Sequence, residues 1–388
     1  MKISWRNHCS LIVFFLFAQV FSVLAADEEG SNREKMVPIE VFMPGRLCLF
    51  GEHSDWAGIY RRDNRAIEKG IVVATGTDQG IYARVKPHPK RFIFTASLPC
   101  QKESFRCEIP MTKEELQEQI RCGGIFSYSA GVAYHILSRF PVQGIEIDNY
   151  KTDLPIKCGY GGSGAVCLLV ARAFNLAYNL QLSLEEEQEL AFLGETATAS
   201  RCGRMDHVCA YGKGPFALIF DGDKVETKKI SVGSDLHFVL VNLGEEKDTV
   251  KILCSLNRCY PFAKNEVQAN VQKYLGPINM KNVTSAIEAI EAGDVARIGQ
   301  LMNQTQEAFD EYMMPACPSQ LTSPTLHKVL SYPPIQPFIY GGKGVGSQGD
   351  GSVQLIVKDK ESQGQVIQIL KKDFNMDCLP LDIQKNIP

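Results

Sequence analysis

Lys157-Cys158-Gly159-Tyr160-Gly161-Gly162-Ser163-Gly164-Ala165 is the stretch on which the fold of this chain turns. Directly behind it, Val166, Leu169, Val170, Ala173, Phe174 and Ala177 recur at the spacing of one apolar helix face. A glycine-rich loop that opens a helix lets the backbone approach a ligand closely, and the unpaired N–H groups of the first turn favour an anion such as phosphate. The loop lacks the Lys-Ser/Thr ending of a Walker A sequence. Gly159, Gly161 and Gly164 do fit the GxGxxG dinucleotide fingerprint, but that motif follows a buried strand. Here Asp153-Leu154-Pro155-Ile156-Lys157 is polar, with a proline where a ladder N–H is needed. A tight turn without a ligand is the plain alternative for these residues taken alone.

Upstream, Pro44-Gly45-Arg46-Leu47-Cys48-Leu49-Phe50-Gly51-Glu52-His53-Ser54-Asp55-Trp56 surrounds an apolar strand core with Arg, Glu, His and Asp. Polar groups packed this closely suit a pocket for a polyhydroxy ligand, because each hydroxyl needs a donor or an acceptor. A charged surface turn is the alternative. Between these segments Ile71–Thr75 and Ile81–Val85 read as two strands joined by a turn at Asp78-Gln79-Gly80, Phe126–Arg139 as a helix and Gly144–Ile147 as a strand.

Downstream, Ser183-Leu184-Glu185-Glu186 is a capping box opening a helix to about Thr196. Gly203-Arg204-Met205-Asp206-His207 follows, with Glu195 near the end of that helix. A carboxylate beside glycine reaches into a cleft without crowding, so Asp206 can accept a hydroxyl proton while Glu195 holds Mg2+; a solvated loop acid is the alternative for either. Strands at Phe216–Phe220 and His237–Leu243 flank Asp221-Gly222-Asp223, which reads as a domain junction. Helices are expected at Ser285–Gly293, Asp294–Met314, Pro324–Leu330 and Gln363–Phe374, and a strand at Val353–Val357. Gly341 through Gly351 is dense in glycine, whose ordering costs extra backbone entropy, and this favours a loop that faces a ligand.

With 388 residues, 45% of them hydrophobic, and a formal net charge of −3, the chain can bury two moderate cores and shows no basic field for nucleic acid. Lys2 and Arg6 precede an apolar run from Leu11 to Ala26 that ends in the small-residue pattern Val23-Leu24-Ala25, which reads as a signal peptide or signal anchor over residues 1–26. A polar linker over 27–37 is expected behind it. The secretory pathway or a membrane anchor follows if that segment is genuine, and the cytoplasm otherwise. Any membrane contact would run through this segment alone, uncleaved. Of the 13 cysteines, Cys100/Cys107, Cys202/Cys209 and Cys254/Cys259 are close enough in sequence to bridge if geometry allows. None forms the paired CxxC spacing of a structural zinc site.

Taken in this order, the stretches resemble the GHMP kinase superfamily, which includes galactokinases, homoserine kinases, mevalonate kinases and phosphomevalonate kinases. The likeness runs from about Ile39 to Phe374. It implies an α+β, two-domain fold, residues 38–222 and 223–388, with the active site in the cleft between the domains. By position, Asp206 matches the family's catalytic aspartate and Arg46 the cation that keeps it ionised. Glu52, His53 and Asp55 match residues that hold sugar hydroxyls in galactokinase-like members. Lys157, Gly159, Gly161, Gly162, Ser163, Gly164 and Ala165, with Gly344, Gly346 and Ser347 of the third motif, would hold ATP. Ser163 and Glu195 match the Mg2+ ligands.

The activity so implied is transfer of the γ-phosphoryl group of ATP to a hydroxyl, with a sugar as the leading acceptor. A mevalonate-type alcohol kinase, using Arg61 or Arg62 for a carboxylate, and a non-catalytic nucleotide- or sugar-binding relative are the other readings. Three departures stand out. A single Ser163 lies among glycines where the family usually carries Ser-Ser, and a serine restored at Gly161 is expected not to abolish activity. Asp350 is a carboxylate near phosphate that needs Mg2+ or Lys343 to offset it. His207 follows the aspartate where many relatives have glutamine.

Overall fold

In the computed structural model, which describes residues 37–98, 103–155, 159–200, 202–245 and 247–386, the apolar run at Ile39 becomes strand β1 (Ile39–Phe50). The expected targeting segment, the linker up to residue 36, and Lys157 of the expected ATP site lie outside the described residues. Asp78-Gln79-Gly80 is not a turn. It is the middle of one long strand, β2 (Gly70–His88), antiparallel to β1. Gly80 stands opposite Pro44, and its N–H donates to Asp153 Oδ1 at 2.7 Å. A Cβ there would strike the Phe42 ring and the Met43 carbonyl, so this glycine serves close strand approach rather than chain reversal.

Strands β3 (Arg91–Ala96), β4 (Phe105–Pro110), β5 (Gly144–Thr152), β6 (Phe216–Asp221) and β7 (Lys224–Lys229) complete a seven-stranded sheet among the described residues, in the order β4-β3-β5-β2-β6-β7 with β1 also on β2. β5 runs antiparallel to β2, unlike a strand of a dinucleotide-binding sheet. Asp221-Gly222-Asp223 is the turn of the β6–β7 hairpin and not a junction, so the first sheet closes at Lys229 instead of 222. β7, Lys-Val-Glu-Thr-Lys-Lys, escapes a search for apolar runs because it is an exposed edge, and its charges protect that edge.

The helices around this sheet are α1 (Ser54–Ile59), α2 (Lys113–Cys122), α3 (Ser127–Arg139), α4 (Gly162–Tyr178) and α5 (Leu184–Thr196). Both bonds of the capping box at α5 form: Glu186 N–H donates to Ser183 Oγ at 3.2 Å, and Ser183 N–H to Glu186 Oε2 at 2.8 Å. α4 lies on β1 and β2 and packs against α3 and α5, which also touch each other, and the apolar face read from its spacing is buried at Leu169, Val170, Ala173 and Phe174.

The chain continues through β8 (Leu236–Asn242), α6 (Thr249–Asn257), α7 (Glu266–Lys273), α8 (Asn279–Ala292), α9 (Val295–Tyr312), α10 (Pro318–Leu321), α11 (Pro324–Leu330), β9 (Ile339–Gly344), β10 (Ser352–Val357), α12 (Lys360–Phe374) and β11 (Cys378–Ile383). These strands form an antiparallel sheet in the order β11-β8-β10-β9. The first four residues of the glycine-dense stretch, 341–344, are therefore strand. Gly341 lies so close to Gly299 and Asn303 of α9 that no side chain fits.

Residues 39–388 form one compact unit, and a continuous core joins Leu47, Leu49 and Phe50 of β1 with Phe238 and Leu240 of β8 and Ile356 of β10. Buried polar ties reach the first sheet from the second part of the chain. Gln354 Nε2 of β10 donates to the Cys48 carbonyl of β1 at 2.8 Å, and Asn279 Nδ2 of α8 donates to the Ile71 carbonyl of β2 at 3.0 Å. Cys202, Cys209, Cys254 and Cys259 carry free thiols, so neither of those short-range bridges forms, while Cys100 lies outside the described residues. No described helix is long and apolar enough to cross a membrane.

Candidate active site

Arg46 leaves β1 at a register shift and is only 6% exposed. Its Nε donates to Asp206 Oδ1 at 2.9 Å, Nη2 donates to the same oxygen, and Nη1 donates to the Gly159 carbonyl. Burial lowers the guanidinium pKa, but the Asp206 carboxylate outweighs it and raises the net value, so the arginine stays charged. Asp206 sits in a 3-10 turn (Arg204–Tyr211) lying on the first turn of α4. A Cβ on Gly164 would come within 2.6 Å of the Asp206 carbonyl, which is why the helix start can lie flush against this turn. One guanidinium thus joins the first motif, the glycine loop and the candidate catalytic carboxylate.

The loop reaches the third motif as well. Gly159 and Gly346 both have positive φ and meet backbone to backbone: a Cβ on Gly346 would lie 3.2 Å from the Gly159 carbonyl. Lys247 Nζ donates to the Val345 and Gln348 carbonyls at 3.2 and 3.0 Å, and the Thr249 and Ser347 hydroxyls are 3.2 Å apart. Asp350 plays a structural part instead. Its Oδ1 accepts the Leu326 N–H at 2.8 Å at the start of α11, which offsets its charge without Mg2+ or Lys343. Gly161 is the N-cap of α4 at φ 67, and a Cβ there would lie 2.6 Å from Arg46 Cγ. A serine there is therefore strained and crowded against Arg46. Gly161→Ser is predicted to push Arg46 off Asp206 and lower turnover by at least about tenfold, as measured by steady-state kinetics beside Gly162→Ser, which has only Leu154 at 4.0 Å and keeps most activity.

Of the three groups expected to hold sugar hydroxyls, two are occupied. Glu52 Oε1 takes the ammonium of Lys343, and both residues are buried. Asp55 is 3% exposed, accepts the Trp56 and Met205 N–H groups, and packs against Gly203, where any Cβ would strike its carboxylate. The third group, His53, is buried as well. Trp56 Nε1, which can only donate, bonds His53 Nδ1 at 3.2 Å, so the neutral ring carries its proton on Nε2, and the Ser347 backbone lies against the ring. Arg61 donates to Asp221 Oδ1 at 2.7 Å and to the Ile67 carbonyl, and Arg62 faces Asp63 and Asp223 in solvent. Neither arginine is held ready for a substrate carboxylate.

Asp55 and His53 pull stability in opposite directions. Burial, then the Asp206 charge, pushes the Asp55 carboxyl up to about 6 from an ordinary 3.8. The folded protein therefore holds a proton that the unfolded chain lacks between those values, and stability falls as pH rises through them. Burial pushes His53 down to about 4 from 6.5, so the unfolded chain holds the extra proton and stability falls as pH drops. Each effect is on the order of 3 kcal/mol, and they oppose each other between about pH 4 and 6. Asp55→Asn is predicted to leave the His53 effect unopposed, so its melting temperature falls more steeply than wild type on acidification from pH 6 to 4. Parallel melting curves across that range would contradict this.

Ser163 lies in the first turn of α4, partly exposed, as a hydroxyl for Mg2+ should be. Glu195 is 1% exposed, and its Oε2 lies 3.1 Å from His207 Nε2, although neither atom completes a hydrogen bond of normal geometry. The orphaned oxygen suits a cation. Its companions are an imidazole and the Cys167 thiol, a donor set foreign to magnesium, which prefers oxygen. Ser163 is open to a cation, whereas the donors beside Glu195 are not those magnesium prefers. Lys343, Trp56 and Cys167 were not singled out as site residues from sequence. Only Lys343, inside the glycine-dense stretch, carried a local signal.

Residues 127–214, from α3 through the Asp206 turn, match the family described as GHMP kinases N terminal domain. The galactokinase of Chloroflexus aggregans is 24% identical over 351 residues, covering 81% of this chain and 83% of that protein. The structure of Lactococcus lactis galactokinase complexed with galactose aligns over 94% of this chain and 98% of that one, with a TM-score of 0.68 and 16% identity. Methanococcus jannaschii mevalonate kinase aligns over 91% of this chain and 100% of its own, with a TM-score of 0.65 and 18% identity. Likenesses at these identities describe the fold, and they do not separate a sugar from another alcohol.

Proposed function

From a chain that carries a GHMP kinase N-terminal domain within a GHMP kinase fold, we propose that it transfers the γ-phosphoryl group of ATP to a hydroxyl of a small molecule, with a neutral sugar as acceptor. The observation that carries this reading is the Arg46–Asp206 pair, tied to the Gly159 carbonyl beside the open start of α4. The N–H groups of 161–164 and the helix dipole hold the triphosphate. Both Arg46 nitrogens go to Oδ1 of Asp206, which leaves Oδ2 to receive the acceptor proton as the hydroxyl attacks in line. Mg2+, when bound, would offset the charge of the phosphates, and Ser163 is the side chain that would hold it.

The sugar reading is supported by the galactokinase relative and by the buried, polar ring of His53, which sits against the Ser347 backbone of the third motif. Glu52 and Asp55 shape the pocket wall through their own pairings rather than through free oxygens. The test is ADP release with Mg2+, ATP and a panel of hexoses and mevalonate, against an Asp206→Ala control. Release with a hexose alone supports the proposal, and release with mevalonate alone moves the acceptor class. Thermal stabilisation by nucleotide and hexose without release above the control would make this a binding protein instead.

A further inference from the structure

Cys167, Glu195 and His207 offer one sulfur, one oxygen and one nitrogen, all within 4.8 Å of one another. Each is 1% exposed or less. They come from three elements: α4 one turn beyond Ser163, the last turn of α5, and the 3-10 turn next to Asp206. Buried polar atoms are normally hydrogen-bonded, yet Glu195 Oε2 and both ring nitrogens of His207 have no partner. Oε2 and Nε2 approach to 3.1 Å without aligning, as two ligands aimed at a common third point do. Ser200 Oγ holds the other carboxylate oxygen at 3.4 Å, and Gln188 Nε2 donates to the His207 carbonyl at 3.0 Å, so outer contacts fix the glutamate and the histidine backbone.

We propose that Cys167, Glu195 and His207 bind a divalent transition-metal ion of the zinc type, distinct from the magnesium that accompanies the nucleotide. Sulfur with imidazole and a single carboxylate is a borderline-soft set that suits Zn2+ or Co2+ and rejects Mg2+. Three protein ligands leave a fourth position for water. The ion would pin α4, α5 and the Asp206 turn together, holding the phosphate loop and the candidate base in register. The site stands whether or not the kinase reading does.

The experiment uses the full chain, stripped with a chelator, dialysed, and titrated with Co2+ and then Zn2+. About one Co2+ per chain with a thiolate charge-transfer band, displaced by about one Zn2+ and not by excess Mg2+, is expected. Cys167→Ala should lose the band and weaken Co2+ binding by about tenfold or more, and Asp206→Asn, one residue outside the triad, should keep both. No stoichiometric metal in the wild-type chain would overturn the proposal, a reading that needs no variant to fold. Displacement by Mg2+ at like concentration, or an unchanged band in Cys167→Ala, would overturn it too. Hexose-dependent ADP release without Co2+ binding would defeat this site and leave the proposed activity standing.

Discussion

Asp206→Asn is expected to lower turnover by about a thousandfold while Mg-ATP affinity changes by less than about threefold, because removing a general base costs typically 10²–10⁴. The amide oxygen can still accept from Arg46, but no atom of asparagine takes the acceptor proton. The substitution also strips a guanidinium only 6% exposed of its counter-charge, so a stability loss of about 3 kcal/mol should accompany the kinetic effect. Circular dichroism and melting temperature separate the two, and single-turnover kinetics at saturating ATP isolate the chemical step. Equal losses in turnover and in ATP binding would place Asp206 in nucleotide binding instead.

Lys343→Met is expected to destabilise the fold by about 3–5 kcal/mol, since it leaves the Glu52 carboxylate buried without a cation. Lys343 has 0% of its side chain exposed and Glu52 3%, and the ammonium's other contact is the Gly344 carbonyl at 3.1 Å. Breaking such a pair costs more than the pair contributes, because the survivor keeps its full desolvation penalty. The double substitution Glu52→Gln, Lys343→Met should therefore recover much of the stability that the single one loses. Chemical denaturation of the three variants checks this, and a double variant no more stable than Lys343→Met would remove the buried pair as the cause. The pair joins the first motif to β9, so its loss should also loosen the approach of the third motif to His53.

What was legible in the sequence was local. The α5 capping box and the apolar face of α4 depend on neighbours a few residues apart, and both stand where the pattern places them. β2 was misread because Gly80 resembles a turn residue, whereas its real constraint is the Phe42 ring on the adjacent strand. Edge strand β7 was missed because an exposed edge needs no apolar alternation. At the site, resemblance led to the meeting of Arg46 with Asp206 across 160 positions, but no pattern in a single sequence announces Lys343 against Glu52 across 291. Gly161 reads as a lost hydroxyl, and only the position of Arg46 reveals that its φ leaves no room for one. Glu195 reads as a magnesium ligand until Cys167 and His207 are seen beside it.

Crystals grown with Mg2+, a non-hydrolysable ATP analogue and galactose give the most direct measurement of the central arrangement, through the distance from the γ-phosphate to Asp206 and to the main-chain nitrogens of 161–164. The arrangement described above predicts the triphosphate lying across those nitrogens, with a sugar hydroxyl between the γ-phosphorus and Asp206 Oδ2 and hydrogen-bonding distances of about 3 Å at both ends. A nucleotide seated away from the 159–164 loop, or an Asp206 that remains out of reach of any ligand hydroxyl, would contradict it.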